Sequence, residues 1–207
     1  FSRHEENGLQ RQDPRFIEVV LRCAAELAPA NQEGVVHCLG IIGPEPSGRV
    51  EDAVIAALRS PNFRVSMAVD HLFWNMQSPR LKTALVTMLR DPDAEMRRRA
   101  VWALGIFGTD AEKNPEIPDL LIAALKDPAS RGSAAYHIGE IKDRRAVEPL
   151  CAVLFEREGQ RDVIQALVRL RDDRAAHPLL RLVLDTTQDE EVRKEAAEAL
   201  NRFDLAG

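Results

Sequence analysis

The residues of this chain that could carry chemistry are five histidines, three cysteines, two tryptophans and one tyrosine, set among 33 acidic residues. The histidines are His4, His37, His71, His137 and His177. No two of them fall at metal-ligand spacing on one helix face. His71 and His137 each precede a recurring aliphatic residue by one position, which predicts packed or hydrogen-bonded side chains. Cys23, Cys38 and Cys151 are odd in number and widely spaced. Free, buried thiols in a reducing compartment follow, with the cytoplasm as the expected location. There is no phosphate-cradling glycine loop, no nucleophile elbow and no CxxC. No pair of carboxylates stands out in an apolar setting. The sequence therefore predicts no cofactor, no metal and no catalytic residue. What remains is recognition, and Trp74, Trp102 and Tyr136 are the residue types suited to it.

The elements that position these residues repeat. The stretch Asp91 to Gly108, DPDAEMRRRAVWALGIFG, opens with a helix stop and cap and continues with Met96, Ala100, Leu104 and Phe107 on one helical face. The preceding segment, Pro79 to Arg90, is a second amphipathic helix. Such a hairpin is too small to bury its own apolar faces and must stack on others. With Leu104 as anchor, the equivalents are Leu39, Leu72, Ile138, Leu167 and Leu200, at gaps of 33, 32, 34, 29 and 33 residues. Four residues before each anchor is Ala or Val. Three residues after it are Ile42, Asn75, Phe107, Ile141, Leu170 and Phe203, of which only Asn75 is polar. The fold class is all-α, an α-α superhelix of about six helical hairpins. The polar residues 1–13 read as a flexible N-terminal arm and 14–207 as a single solenoid. The fourth hairpin carries Gly132 and reads as having a shortened second helix. Asp93–Arg97, Asp127–Arg131 and Asp189–Arg193 recur at a four-residue spacing, each Asp suited to a helix N-terminus and each Arg to bridging between hairpins.

The Asp-Pro loop, the following Arg, the small residue, Leu-Gly and Ile/Phe-Gly together resemble the HEAT-like repeat, especially the bacterial type of the phycobilisome lyases. "DPDAEMRRRAVWALGIFG", "YHIGEIKDRRAVEPLCAVL" and "DEEVRKEAAEAL" carry the resemblance, which extends from about Pro14 onward. It implies an α-solenoid and leaves function open, because this repeat serves many tasks. HEAT-like hydroxylases that bind iron carry His-Glu pairs on their second helices, whereas the only His-Glu here is His4-Glu5, in the polar arm.

In such stacks the second helices line the concave surface. At about 100° per residue, the positions two before, two after and five before each anchor point away from the core. They place Ile41, Met67, Trp74, Arg99, Trp102, Ile106, Tyr136 and Glu140 on the expected groove of the first four hairpins. Trp74, Trp102, Ile106 and Tyr136 would form one apolar strip, with Arg99 and Glu140 setting the orientation of a bound protein or peptide. The competing expectation folds these rings into the core.

A net charge of −5 and a pI near 5.6 argue against a general nucleic-acid or anionic-membrane binder. The apolar runs are too short to span a bilayer. No signal peptide is visible, and a chain beginning at Phe1 reads as a piece of a longer protein. The leading expectation is a non-catalytic scaffold that binds a protein or peptide. The alternatives are a lyase-like subunit handling an open-chain tetrapyrrole, with His37 or Tyr136 in its groove, and a nucleic-acid binder of the HEAT-like glycosylase kind.

Overall fold

The computed structural model describes residues 13–26, 33–60, 68–69, 72–73, 76, 78–110 and 113–203. Among them there are eleven α-helices and no strand. These are α1 (Pro14–Glu26), α2 (Glu33–Ile42), α3 (Arg49–Leu58), α4 (Pro79–Met88), α5 (Ala94–Phe107), α6 (Ile117–Ala124), α7 (Pro128–Ile141), α8 (Val147–Val153), α9 (Gln160–Leu170), α10 (Ala176–Leu184) and α11 (Glu190–Leu200). Within the units the helices pair as the sequence predicts: α1 with α2, α6 with α7, α8 with α9 and α10 with α11. The register of the helix after α3, around Met67 to Asn75, falls largely outside the described residues, as do residues 1–12 of the expected arm. Asp13, read as the end of that arm, instead caps α1 by accepting from the Arg15 amide at 2.8 Å.

Local chemistry sets these boundaries. Asp93, Asp127 and Asp189 each accept the amide two residues on, at 2.9, 3.3 and 2.9 Å, and so begin α5, α7 and α11. Pro14, Pro79 and Pro128 take first helical positions, where a missing amide proton costs nothing. Asp143 and Asp172 cap the short 3-10 turns that lead into α8 and α10.

The helices form two compact units, residues 1–84 and 85–207. The division falls inside α4. In the first unit α1, α2 and α3 pack on one another around Val36, Leu39, Val50, Val54 and Leu58. In the second unit the second helices lie side by side, α5 on α7, α7 on α9 and α9 on α11, with the first helices against them. Their closest approach is through glycine. A Cβ placed on Gly105 would come within 2.0 Å of the His137 ring, and one on Gly139 within 3.2 Å of the Ala166 backbone. Gly132 serves the same end against Gly159 of the next hairpin. It does not shorten its helix: α7 runs 14 residues, as α5 does.

Of the anchors, Leu39, Leu72, Leu104, Ile138 and Leu167 are buried, and Leu200 is half-buried. Seven residues before successive anchors stand Arg97, Arg131, Gln160 and Arg193. Arg131 donates to the Leu125 carbonyl at 2.9 Å and the Glu158 carbonyl at 3.1 Å. Gln160 donates to the Leu154 carbonyl at 2.9 Å and to Gln188 at 3.1 Å. Arg97 donates to the Asp91 carbonyl at 3.0 Å and to the Asp127 carboxylate at 2.8 Å. Arg193 donates to the Val183 carbonyl at 2.9 Å. The first three thus tie their own hairpin's loop to the loop of the next. A second, exposed series joins first helices: Arg49–Glu18 and Arg80–Asp52 in one unit, Arg145–Asp119 and Arg174–Glu148 in the other. Exposed pairs of this kind add little stability, about 0–1 kcal/mol each.

Candidate functional site on the second helices

The site is built from the outward positions of α5, α7 and α9, all within the second unit. Helical geometry carries Trp102 and Tyr136, each two residues before its anchor, to matching places on neighbouring helices. Their rings stack, with centroids 5.5 Å apart and planes at 22°. The His137 ring meets both edge-on, 4.8 Å from Trp102 and 5.1 Å from Tyr136. From α9 the Arg169 guanidinium lies 5.2 Å from the Tyr136 ring centre, a cation–π contact. The same guanidinium pairs with Glu140 at 3.3 Å. Tyr136 is 36% exposed, Trp102 is half-buried, and His137 is only 4% exposed on the bare backbone of Gly105.

Burial without a hydrogen-bond partner shapes the polar atoms of this cluster. Among the described residues neither Trp102 Nε1 nor His137 Nε2 has a hydrogen-bond partner. Desolvation lowers the His137 pKa from 6.5 to about 4, so the imidazole is neutral at physiological pH. At the next helical turn Arg99, largely buried, pairs with Glu95 at 2.8 Å. Glu95 also pairs with Arg98 at 2.6 Å, and the two arginines hold its carboxyl down to about 2, Arg98 contributing most.

The eight residues expected on the groove do not all arrive there. Trp102, Tyr136 and Glu140 come together, and Arg99 sits beside them on α5. Ile41 is 44% exposed, in the first unit. Met67 and Trp74 lie outside the described residues. Ile106 is 3% exposed and offers no side chain to a partner. The longer connector after α5 folds back on the helix's last turn, where Thr109 Oγ1 donates to the Ile106 carbonyl and Asn114 Nδ2 to the Phe107 carbonyl, at 2.8 and 2.9 Å. The continuous apolar strip of the sequence reading is therefore, among the described residues, a compact stack of two rings. Two members were missed. The sequence predicts His137 only as packed or hydrogen-bonded beside the core, and it does not single out Arg169. The signal for Arg169 was its register, two residues after its anchor, which is the place Glu140 holds in the hairpin before.

Elsewhere, α1, α2 and α3 enclose an apolar cleft of about 360 Å³, lined largely by Leu and Ala, which takes in none of the eight. Among the described residues no three His, Cys, Asp or Glu side chains gather as metal ligands. No helix of these residues is long and apolar enough to cross a membrane.

Helical hairpins stacked second helix on second helix, with outward side chains aligned from one to the next, define a repeat-solenoid protein. The family model for HEAT repeats matches residues 51–116 and 117–201, and the chain belongs to that family. Comparison with curated protein sequences finds no match. A crystal structure of an engineered protein is similar over 90% of this chain and 95% of that one, with a TM-score of 0.52 and 19% sequence identity. A designed armadillo repeat protein covers 89% of this chain and 98% of that one, at a TM-score of 0.47 and 19% identity. At 19% identity the likeness to the engineered protein concerns the fold alone.

Proposed function

We propose that the chain is a non-catalytic scaffold that binds a partner protein or peptide on the second-helix face, with Tyr136 as anchor. The observation that carries this is the Trp102–Tyr136 stack at 5.5 Å, with Tyr136 left 36% exposed. A large ring held rigid from behind, flanked by the Arg169–Glu140 pair, has the make-up of an interface anchor with a polar rim. Trp102 is its support. Two residues of reactive type are held in unreactive states, which favours binding over catalysis. His137 is sealed and neutral, and burial pushes the Cys151 thiol up to about 11. The three cysteines are unpaired, which supports a reducing compartment such as the cytoplasm.

The test compares partner capture by the native chain with capture by Tyr136→Ala and Glu140→Lys. Tyr136→Ala is expected to weaken the captured interaction by about 2 kcal/mol while its melting temperature moves little. Identical capture by Tyr136→Ala and the native chain refutes the reading.

A further inference from the structure

At the C-terminal ends of the second helices of the second unit lies a polar cleft of about 480 Å³, within the size range of small-ligand sites. Five cations line it: Lys142 and Arg144 after α7, Arg169 and Arg171 at the end of α9, and Arg202 past α11. Among the described residues no acidic side chain lines it. Two of the neighbouring carboxylates are engaged by arginines outside the cleft, and a third by one of its own cations. Asp143 holds Arg145 at 2.7 Å, Asp172 holds Arg174 at 2.8 Å, and Glu140 holds Arg169 at 3.3 Å. Lys142, Arg144, Arg171 and Arg202 form no ion pair among the described residues.

Cations at helix C-termini usually complement the helix dipole, whose end carries about half a negative charge. Three helix ends account for about one and a half charges, and Glu140 for one more. A clear positive excess remains, on a chain whose net charge is −5. The backbone points the same way. Lys142 and Arg171 sit four residues after their anchors at φ of 60° and 48°, the left-handed conformation that favours glycine. In the first hairpin that register holds Gly43, at φ 76°. Two successive hairpins thus keep a basic residue in a strained position, and both line the cleft.

We propose that this cleft binds the acidic segment of a protein partner, an extended run of carboxylates. The cations are spread over three successive helix ends instead of converging on one point. Stacked helix axes lie about 10 Å apart, and a polyproline II chain advances about 3.1 Å per residue and returns its side chains to one face at every third residue. Acidic residues at every third position would therefore meet one helix end each. A longer polyanion such as nucleic acid would leave the cleft for an otherwise acidic chain. Arg169 joins the cleft to Tyr136. The inference thus rests on the reading of the second-helix face as a partner surface, and adds the charge of that partner.

The test uses the whole chain and a fluorescent peptide of about ten residues with glutamate at every third position. Its control carries glutamine there. Anisotropy is expected to show binding of the acidic peptide alone, weakening at least tenfold, on the order of magnitude for a few ion contacts, between about 50 and 200 mM salt. Arg202→Glu and Arg171→Gly should each weaken it roughly tenfold. Arg171→Gly relieves the left-handed backbone, so its melting temperature should hold or rise, which separates lost binding from lost folding. Equal binding of the two peptides, unchanged affinity in a variant carrying both Arg171→Gly and Arg202→Glu, or tighter binding of a single-stranded oligonucleotide overturns the proposal. The two readings fail separately. Acidic-peptide binding that needs Arg171, together with capture indifferent to Tyr136, sinks the anchor alone. Capture that needs Tyr136, with no acidic-peptide binding, sinks the cleft alone.

Discussion

Replacing Arg131 with alanine should be among the most damaging single changes in the second unit. The side chain is 4% exposed, and its guanidinium donates to the carbonyls of Leu125 and Glu158. The Glu158 carboxylate, 4.0 Å away and well exposed, adds little. A hydrogen bond from a charged donor contributes about 1.5–3 kcal/mol, and the alanine variant loses two together with the packed stem. Relief from burying a cation offsets part of this. A net loss of about 2–4 kcal/mol follows. Arg98→Ala is the control. Its side chain is 44% exposed and pairs with Glu95 one helical turn away, a contact worth about 0.5 kcal/mol or less. Arg131→Gln should fall between the two, because Gln160 makes the equivalent loop bond one hairpin later, at 2.9 Å to Leu154. Urea titration followed by circular dichroism measures all three. With a slope of about 2 kcal/mol per molar, Arg131→Ala should lower the midpoint by roughly 1–2 M. Equal midpoints for Arg131→Ala and Arg98→Ala would refute the inter-hairpin role. A glutamine variant as weak as the alanine one would refute the equivalence with Gln160.

Two glycines should respond in opposite directions. Gly105→Ala drives a methyl into the His137 ring and should cost about 1–3 kcal/mol, whereas a Cβ on Gly34 would meet nothing within 4 Å among the described residues and alanine there should add about 0.5–1 kcal/mol. Thermal melts give both signs. His137 should make stability depend on pH. Its folded pKa of about 4 lies below the ordinary 6.5, so between those values only the unfolded chain takes up the proton. Stability is then full above about pH 6.5 and falls by about 3 kcal/mol as the pH drops toward 4. Urea midpoints across that window should slope for the native chain and flatten for His137→Asn. An unchanged slope in the variant would assign the effect to other groups.

The period was legible because burial leaves a repeating mark. Leu104, Ile138 and Leu167 are apolar for the same reason in each hairpin, and Asp93, Asp127 and Asp189 cap because a short side-chain acceptor is needed where each second helix starts. Gln160 escaped notice because it replaces an arginine with a different residue type, although it keeps the donor and the register. The strip through Ile106 failed because helical phase says which way a side chain leaves the axis and nothing of what the following loop does. Thr109 and Asn114 act over that last turn through backbone carbonyls, which no periodicity records. The basic cleft was missed for a related reason. Its cations come from positions two, four and six after the anchors, and along the chain they alternate with acids. Only the fold shows that Asp143 and Asp172 serve Arg145 and Arg174.

The chain of polar joints through Arg97, Arg131 and Gln160 bears on how such a protein changes length. Every joint has its donor seven residues before an anchor and its acceptor in a loop that the neighbouring hairpin brings with it. A hairpin duplicated whole therefore arrives with a donor for the copy ahead and an acceptor for the copy behind, and no new contact has to be invented at either seam. A deletion that removes a fraction of a hairpin separates donor from acceptor and strands a buried guanidinium such as that of Arg131. Whole-hairpin gain and loss is thus the tolerated route of growth. Under it, the ring stack and the basic cleft, which share Arg169, travel together, while the hairpins on either side of them change in number.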